Sequence, residues 1–342
     1  MYHLSTSLPT KLPTELPARV IKLQRGLTLR ANSLLVTLYG DALAAQNAPV
    51  SLGSLIELAG LFGLSSRLVR TSAFRLTADG WFDVTRQGRR SFYALSDTGR
   101  LRVVHAQRRI YDFAPLPWAG SWTLALVDAR LKASTRQHLK RELLWAGFGQ
   151  LSSNVFAHPH ADHTTLKDII TSTDTHNQVV VLSAQSIDGY AEKPLATVMQ
   201  DTFKLAAVGQ AWNEFIKRFA PVQQDAASLA PVSAFFTRTL LIHEYRKVQL
   251  RDPQLPEALL PADWPGAVAR QLCEALYKSL AASSAVYLAD HVSCIISAEP
   301  LLIKVQARIL PSLRQAYRRP GDERPAWTKP YFVLQVRMPN GI

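Results

Sequence analysis

Residues 63–99, GLSSRLVRTSAFRLTADGWF followed by DVTRQGRRSFYALSDTG, impose a fixed order of elements on this part of the chain. Ser65 and Ser66 are residue types that cap helix N-termini, because a short side-chain oxygen accepts from amides that the first turn leaves without partners. Leu64, Leu68, Val69, Leu76 and Trp81 recur at spacings that predict one apolar stripe, and Arg67, Arg70, Thr71 and Arg75 fall largely on the other side. Gly80 predicts the stop, since glycine takes the left-handed conformation that closes a helix. Residues 82–86 and 91–95 are rich in β-formers and flank Gln87, Gly88, Arg89 and Arg90, which predicts a hairpin. Upstream, residues 33–45 and 51–61 have helical periodicity, with Gly63 at the turn before the third helix. Three helices and a hairpin predict a winged helix-turn-helix whose third helix reads DNA. The plainer alternative is a small helical domain with a merely solvated charged face.

The distribution of charge weighs between the two. Residues 1–113 hold 15 Lys and Arg against 7 Asp and Glu, whereas residues 114–196 balance at 7 and 7 and residues 197–290 at 9 and 9. The rest of the net charge of +13 lies in residues 291–342, with 8 basic against 3 acidic residues. A merely basic protein would show the excess throughout. Lys and Arg supply the salt-dependent part of affinity for phosphate backbones, so a local excess beside the helix and hairpin points to double-stranded DNA.

A chain of 342 residues implies about two or three domains, and a hydrophobic fraction of 47% is ample for their cores. The amino terminus, MYHLSTSLPTKLPTELPAR, has no apolar run of signal-peptide length, and no run of about 18 apolar residues occurs anywhere. A cytoplasmic protein without a membrane partner is expected. Cys273 and Cys294 are read as reduced thiols.

The expected fold class is multidomain α+β. Residues 1–28 are expected to be a flexible leader, since prolines at 9, 13 and 17 exclude a regular helix through most of it. Residues 29–113 form the winged domain and a linker helix capped by Ser96 or Asp97, with Leu101, Val104, Ile110 and Phe113 inward and Arg100, Arg102, Arg108 and Arg109 outward. Residues 114–196 alternate strands at 122–127, 154–157 and 178–184 with helices at 135–146 and 164–172, which predicts a small ferredoxin-like α+β domain whose fourth strand is not readable. Residues 197–290 predict an all-helical domain, with helices at 201–219, 233–250 and 267–282. Residues 291–342 are a basic tail with six prolines, read as an appendage.

The DNA chemistry is expected from eight residues. Arginine donates two hydrogen bonds to the O6 and N7 edge of guanine, and Arg67 and Arg70 are placed to do so. Ser66, Thr71 and Arg75 are assigned to phosphates or flanking base edges, and Arg86, Arg89 and Arg90 to backbone or minor groove through the wing. An ion pair between Arg75 and Asp79 is the competing reading for that arginine.

Other motifs promise less. HPHADH, residues 158–163, has three imidazoles and a carboxylate but no fixed ligand geometry and no second cluster, so solvated loop histidines are preferred to a metal site. Asp128 ends the first strand of the middle domain where small ferredoxin-like CRISPR adaptation nucleases carry a metal-binding carboxylate. It has no companion acid, and it equally suits capping or pairing with Arg130 or Arg141. Gly147 and Gly149 lack the third glycine of a dinucleotide fingerprint and read as a helix stop. No catalytic residues, metal or cofactor are assigned. A metal-dependent nuclease or an acyl-CoA enzyme with a winged-helix targeting module is the alternative from another class, and an architectural DNA protein is a third.

GLSSRLVRTSAFRLTADGWF, GRRSFYALSDTGR, PWAGSWTLALVD with LKRELLWAGFGQLSSNVFAHP, and LLIHEYRKVQLRDPQLPEALLPADWPG together resemble, in this order, the PaaX family of phenylacetate-catabolism repressors. The resemblance spans about residues 30–285 and does not extend to the tail. It implies a dimeric bacterial repressor released from its operator by an aryl-CoA thioester, phenylacetyl-CoA. Such an effector needs an apolar aromatic slot and cationic groups for its phosphates. The helical region offers Arg246 and Arg251 for phosphate and Tyr245 and Trp264 for the slot, beside His243, Lys247, Tyr277 and Trp212, most of whose aromatic members are expected to be core.

Overall fold

A computed structural model describes residues 16–43, 48–111, 118, 120–185 and 195–292. The expectations for residues 1–15, Phe113, Cys294 and residues 293–342 lie outside these. The chain divides into two compact units, the first comprising Met1–Val103, Ala227–Leu240 and Leu280–Ile342, the second Val104–Ala226 and Leu241–Ser279. Both helices and small sheets are present, as α+β composition requires.

In the first unit, α1 (Ala18–Gln24) begins directly after Pro17 and buries Val20 and Leu23. This corrects the expectation of a flexible leader through residue 28. Proline is excluded from a helix interior but not from its start, where the missing N–H has no partner to lose. Helix α2 (Ala31–Thr37) continues into a π-helical turn, Leu38–Ala42, and α3 (Leu52–Gly60) is capped by the Ser51 hydroxyl accepting from the Ser54 amide at 3.0 Å. Helix α4 (Ser66–Ala78) follows a short link. Strands β1 (Val50–Ser51), β2 (Phe82–Gln87) and β3 (Arg90–Leu95) form an antiparallel sheet in the order β1-β3-β2.

The core of this unit is mainly aliphatic, with aromatic pairs set into it. Tyr39 packs on Phe82 at 4.4 Å between ring centroids and donates its hydroxyl to the Tyr93 carbonyl. Phe62 stacks on Phe236 at 4.9 Å, and Phe235 stacks on Tyr287 at 5.1 Å. Helix α5 (Asp97–Tyr111) starts behind Ser96, whose hydroxyl donates to the Gly80 carbonyl and accepts from the Gly99 amide. Along it Val103 is buried and Leu101 is exposed, against the expected inward Leu101.

In the second unit, β4 (Trp122–Val127), α6 (Ala133–Trp145), β5 (Gly149–Ser152), β6 (Val155–His158), α7 (His163–Ser172) and β7 (Val179–Ala184) build a four-stranded antiparallel sheet in the order β5-β6-β4-β7. The strand that sequence periodicity misses is β5. It is four residues long, pairs with β6 through an irregular register at Gln150 and Ser152, and offers too few alternations to read. Gly147, with φ of +95°, ends α6, but Gly149 belongs to β5, where a Cβ would meet the Phe203 ring at 2.5 Å.

Alternation along β4 divides the apolar residues between two faces. Ala125 and Val127 join Leu139, Leu143, Phe148, Phe156, Leu166 and Ile169 in one cluster with α6 and α7. Trp122 joins Met199 of α8 (Leu195–Thr202), Leu205 of α9 (Leu205–Phe219), Leu255 and Leu259 in the other. The single helix expected at 201–219 is thus two, broken where Lys204 takes φ of +52°. Helices α10 (Pro231–Gln249) and α11 (Gly266–His291) are longer than expected and each contributes residues to both units.

Candidate nucleic-acid interface

Helix α4 has two faces of opposite character. Val69, Ser72, Ala73 and Leu76 are buried, and a Ser65 cap accepting from the Leu68 amide at 3.3 Å fixes where the helix begins. Ser66, Arg67, Arg70, Thr71 and Arg75 are all exposed. Residues 67, 70, 71 and 74 share one stripe because positions three, four and seven apart lie above one another. Two expectations fail here. Leu68, expected to face inward, is 44% exposed, because its position lies beyond the edge of the stripe set by Val69, Ala73 and Leu76. Trp81 lies outside the helix, half-buried, with Arg102 above its ring at 5.1 Å from the centroid.

The hairpin projects its basic residues. Gln87 pairs with Arg90 across the two-residue loop Gly88-Arg89, and Gly88 has φ of +58°, a conformation that favours glycine and closes such a loop. From Asp83 to Gln87 every residue of β2 is exposed, as are Arg86, Arg89 and Arg90. No ion pair within the described residues involves Arg67, Arg70, Arg75, Arg86, Arg89 or Arg90. The pairing of Arg75 with Asp79 is therefore absent. Six guanidinium groups on one helix and one hairpin thus face water without carboxylate partners, an arrangement suited to phosphates and guanine edges.

The proposed effector residues are placed differently. Tyr245 is wholly buried against Trp212 and Phe215, with ring centroids at 5.3 and 5.6 Å. The Trp212 indole donates to the Asp252 carboxylate at 2.8 Å. Burial pulls the Arg246 guanidinium down from its ordinary range, and exposed Arg251 donates to the Lys247 carbonyl. Trp264, half-buried, packs where a Cβ on Gly209 would meet it at 3.2 Å, and it lines a surface groove of about 490 Å³ with Gln210, Asn213, Glu214, Lys217 and Asp263. Arg246, Arg251 and Tyr245 are not among that groove's lining residues.

Two members of the histidine cluster, His158 and Asp162, hold local structure. The buried His158 ring accepts the His160 amide at Nδ1, Asp162 caps α7, and no group of three metal-ligating side chains occurs among the described residues. Burial, then Arg109 and His160, lower the His158 pKa to about 3. Asp128 is gripped by the Arg130 guanidinium and backbone amide, which hold its carboxyl at about 2.

Arg109, expected to point outward, donates instead to the carbonyls of Trp145 at 2.7 Å, Leu250 at 3.1 Å and Asp252 at 3.2 Å. Burial lowers its pKa to about 10, with the Asp252 charge opposing. Gly147 makes the space, since a Cβ there would stand 2.7 Å from the guanidinium. Helical periodicity holds no signal for this role. Phe74, which sequence reasoning passes over, is exposed on the stripe of Arg67 and Arg70, and its spacing from them is the signal that could find it.

Family models described as PaaX-like protein, PaaX protein central Cas2-like domain, and PaaX-like protein C-terminal domain match residues 30–99, 115–196 and 203–290. The protein named transcriptional repressor PaaX of Escherichia coli (strain K12) is 36% identical over 262 residues, covering 75% of this chain and 83% of that protein. The chain belongs to the PaaX family. A solved structure titled uncharacterized protein Rv0674 from Mycobacterium tuberculosis is similar at 24% identity and a TM-score of 0.45, over 75% of this PaaX-family chain and 99% of the other. Among the described residues no helix is long and apolar enough to cross a membrane.

Proposed function

We propose that this PaaX-family chain is a DNA-binding transcriptional repressor of phenylacetate catabolic genes. The observation that carries the reading is the set of exposed arginines on α4 and the hairpin, none with a carboxylate partner, in a chain whose relative is named a transcriptional repressor. In this reading residues 31–95 are a winged helix-turn-helix, with α4 in the major groove and the β2–β3 hairpin as its wing. The βαββαβ order of β4 to β7 is read as a ferredoxin-like domain, and the helices from α8 onward as the region that binds effector and pairs copies. Two α4 helices of a homodimer would read half-sites separated by whole helical turns of DNA.

An aryl-CoA thioester such as phenylacetyl-CoA, the effector the family resemblance implies, would release DNA by binding the non-repressing conformer more tightly, since only differential affinity shifts such an equilibrium. The protein acts here as a regulator rather than an enzyme. A mobility shift on the duplex upstream of its own gene tests the reading, with phenylacetyl-CoA and free phenylacetate as additions. Binding released by the thioester alone is expected. Release by neither removes the effector, and no preference for the upstream duplex over random sequence removes the repressor.

A further inference from the structure

Phe74 is 72% exposed, the most exposed of the large apolar side chains among the described residues. It stacks on no other ring there, although the buried Ser72, Ala73 and Leu76 of α4 are only one or two positions away. Its neighbours on the helix surface are Arg67, Arg70 and Thr71, at seven, four and three residues before it. A protein surface apolar enough to cover the ring would also have to cover two guanidinium groups without carboxylate partners. The DNA major groove answers both needs at once. It places guanine acceptors and phosphates within reach of arginines, and at each thymine it presents an apolar 5-methyl group.

We propose that Phe74 is a specificity residue that reads a pyrimidine 5-methyl group in the major groove, beside the base edges met by Arg67 and Arg70. This rests on the reading of α4 as the helix that enters the groove. The ring needs only van der Waals contact, so it selects thymine over cytosine by what the methyl adds, and the two arginines that precede it on the same stripe fix its register along the groove. Thymine and 5-methylcytosine carry the same group, and two arms of one experiment separate them.

The experiment uses the full chain and the duplex it enriches from a random-sequence pool. Each thymine is replaced in turn by deoxyuridine, which removes the methyl and nothing else, and each cytosine by 5-methylcytosine, which adds it. One thymine per half-site is expected to cost wild type about fourfold in affinity on replacement, the value of one buried carbon. Phe74→Ala should bind the thymine and deoxyuridine duplexes alike, and Phe74→Leu should keep part of the difference. Gain of affinity only at a methylated cytosine would overturn thymine as the target. If wild type selects a sequence but no deoxyuridine substitution weakens it, or if Phe74→Ala retains the loss, the inference falls and the repressor reading stands. Failure of wild type to select any sequence would sink that reading itself. A change of sedimentation in Phe74→Ala would instead assign the ring to contact between copies and overturn the proposal.

Discussion

Arginine does opposite things in the two units. On α4 and the β2–β3 hairpin, Arg67, Arg70, Arg75, Arg86, Arg89 and Arg90 stay hydrated and meet no carboxylate. In the second unit, Arg109 is bound by three backbone carbonyls and its pKa is drawn down to about 10. A hydrated guanidinium keeps its donors for an outside anion and gives them up again when salt competes. A desolvated one is already committed, and its worth lies in what collapses without it. The location of an arginine's acceptors, not its residue type, separates recognition from architecture.

The largest effect should come from breaking the committed arginine. Arg109→Met leaves three carbonyls without their donor and removes one of the two guanidinium charges, with that of Arg270, that act on the buried Asp252, and is expected to cost about 3–5 kcal/mol of stability. Denaturant unfolding of the full chain measures it. A loss under about 1 kcal/mol would mean that the carbonyls find other donors, and the contrast between the two regions would fail.

The exposed arginines should behave in the reverse manner. Arg70→Ala is expected to leave unfolding within about 0.5 kcal/mol of wild type, as surface substitutions do. It should weaken the complex with the selected duplex by about 1–3 kcal/mol, and by less on random sequence, if the side chain meets a base edge. Equal losses on both duplexes, read by titration at one salt concentration, would reassign Arg70 to a phosphate.

This contrast also marks what the sequence makes legible. The cap at Ser65, the stop at Gly80, the hairpin around Gly88 and the exposed arginine stripe are all local, so spacing and residue type suffice to read them. Arg109 is not readable because its acceptors lie 36, 141 and 143 residues away. Strand β5 is lost to its shortness and irregular register, and α1 to a proline read as a breaker where it serves as a start. The sequence alone suits Tyr245 to a ligand slot as well as to a core, and only the rings of Trp212 and Phe215 around it decide for the core.

His158 probes the committed region without removing it. Its neutral ring is the folded form, so below about pH 6.5 the unfolded chain takes up a proton that the folded chain refuses until about pH 3. Its contribution is complete above pH 6.5 and is lost as the pH falls through that window. His243, lowered to about 3 by burial and by Arg246 and Lys247, acts with the same sign. His158→Asn keeps an acceptor for the His160 amide and cannot titrate. The acid-induced loss of stability between pH 7.5 and pH 5 is therefore expected to be smaller in this variant by about 2 kcal/mol. Identical pH profiles would show that the ring is solvated, and with it the surroundings of Arg109.

The smallest effect sharpens the recognition side. Arg89 lies at the loop of the hairpin, exposed and without a carboxylate partner, and in the proposed reading of the hairpin as a wing it would meet phosphates rather than base edges. A phosphate contact contributes through counterion release, which depends on salt and not on sequence. Arg89→Gln should lower the slope of log affinity against log salt concentration by about 0.9 for each protomer bound, equally for selected and random duplexes. The selectivity ratio between the two should not move, whereas Arg70→Ala should move the ratio. A fall in selectivity with Arg89→Gln would bring the hairpin into base or minor-groove readout, and the division of labour between α4 and the hairpin would have to be redrawn.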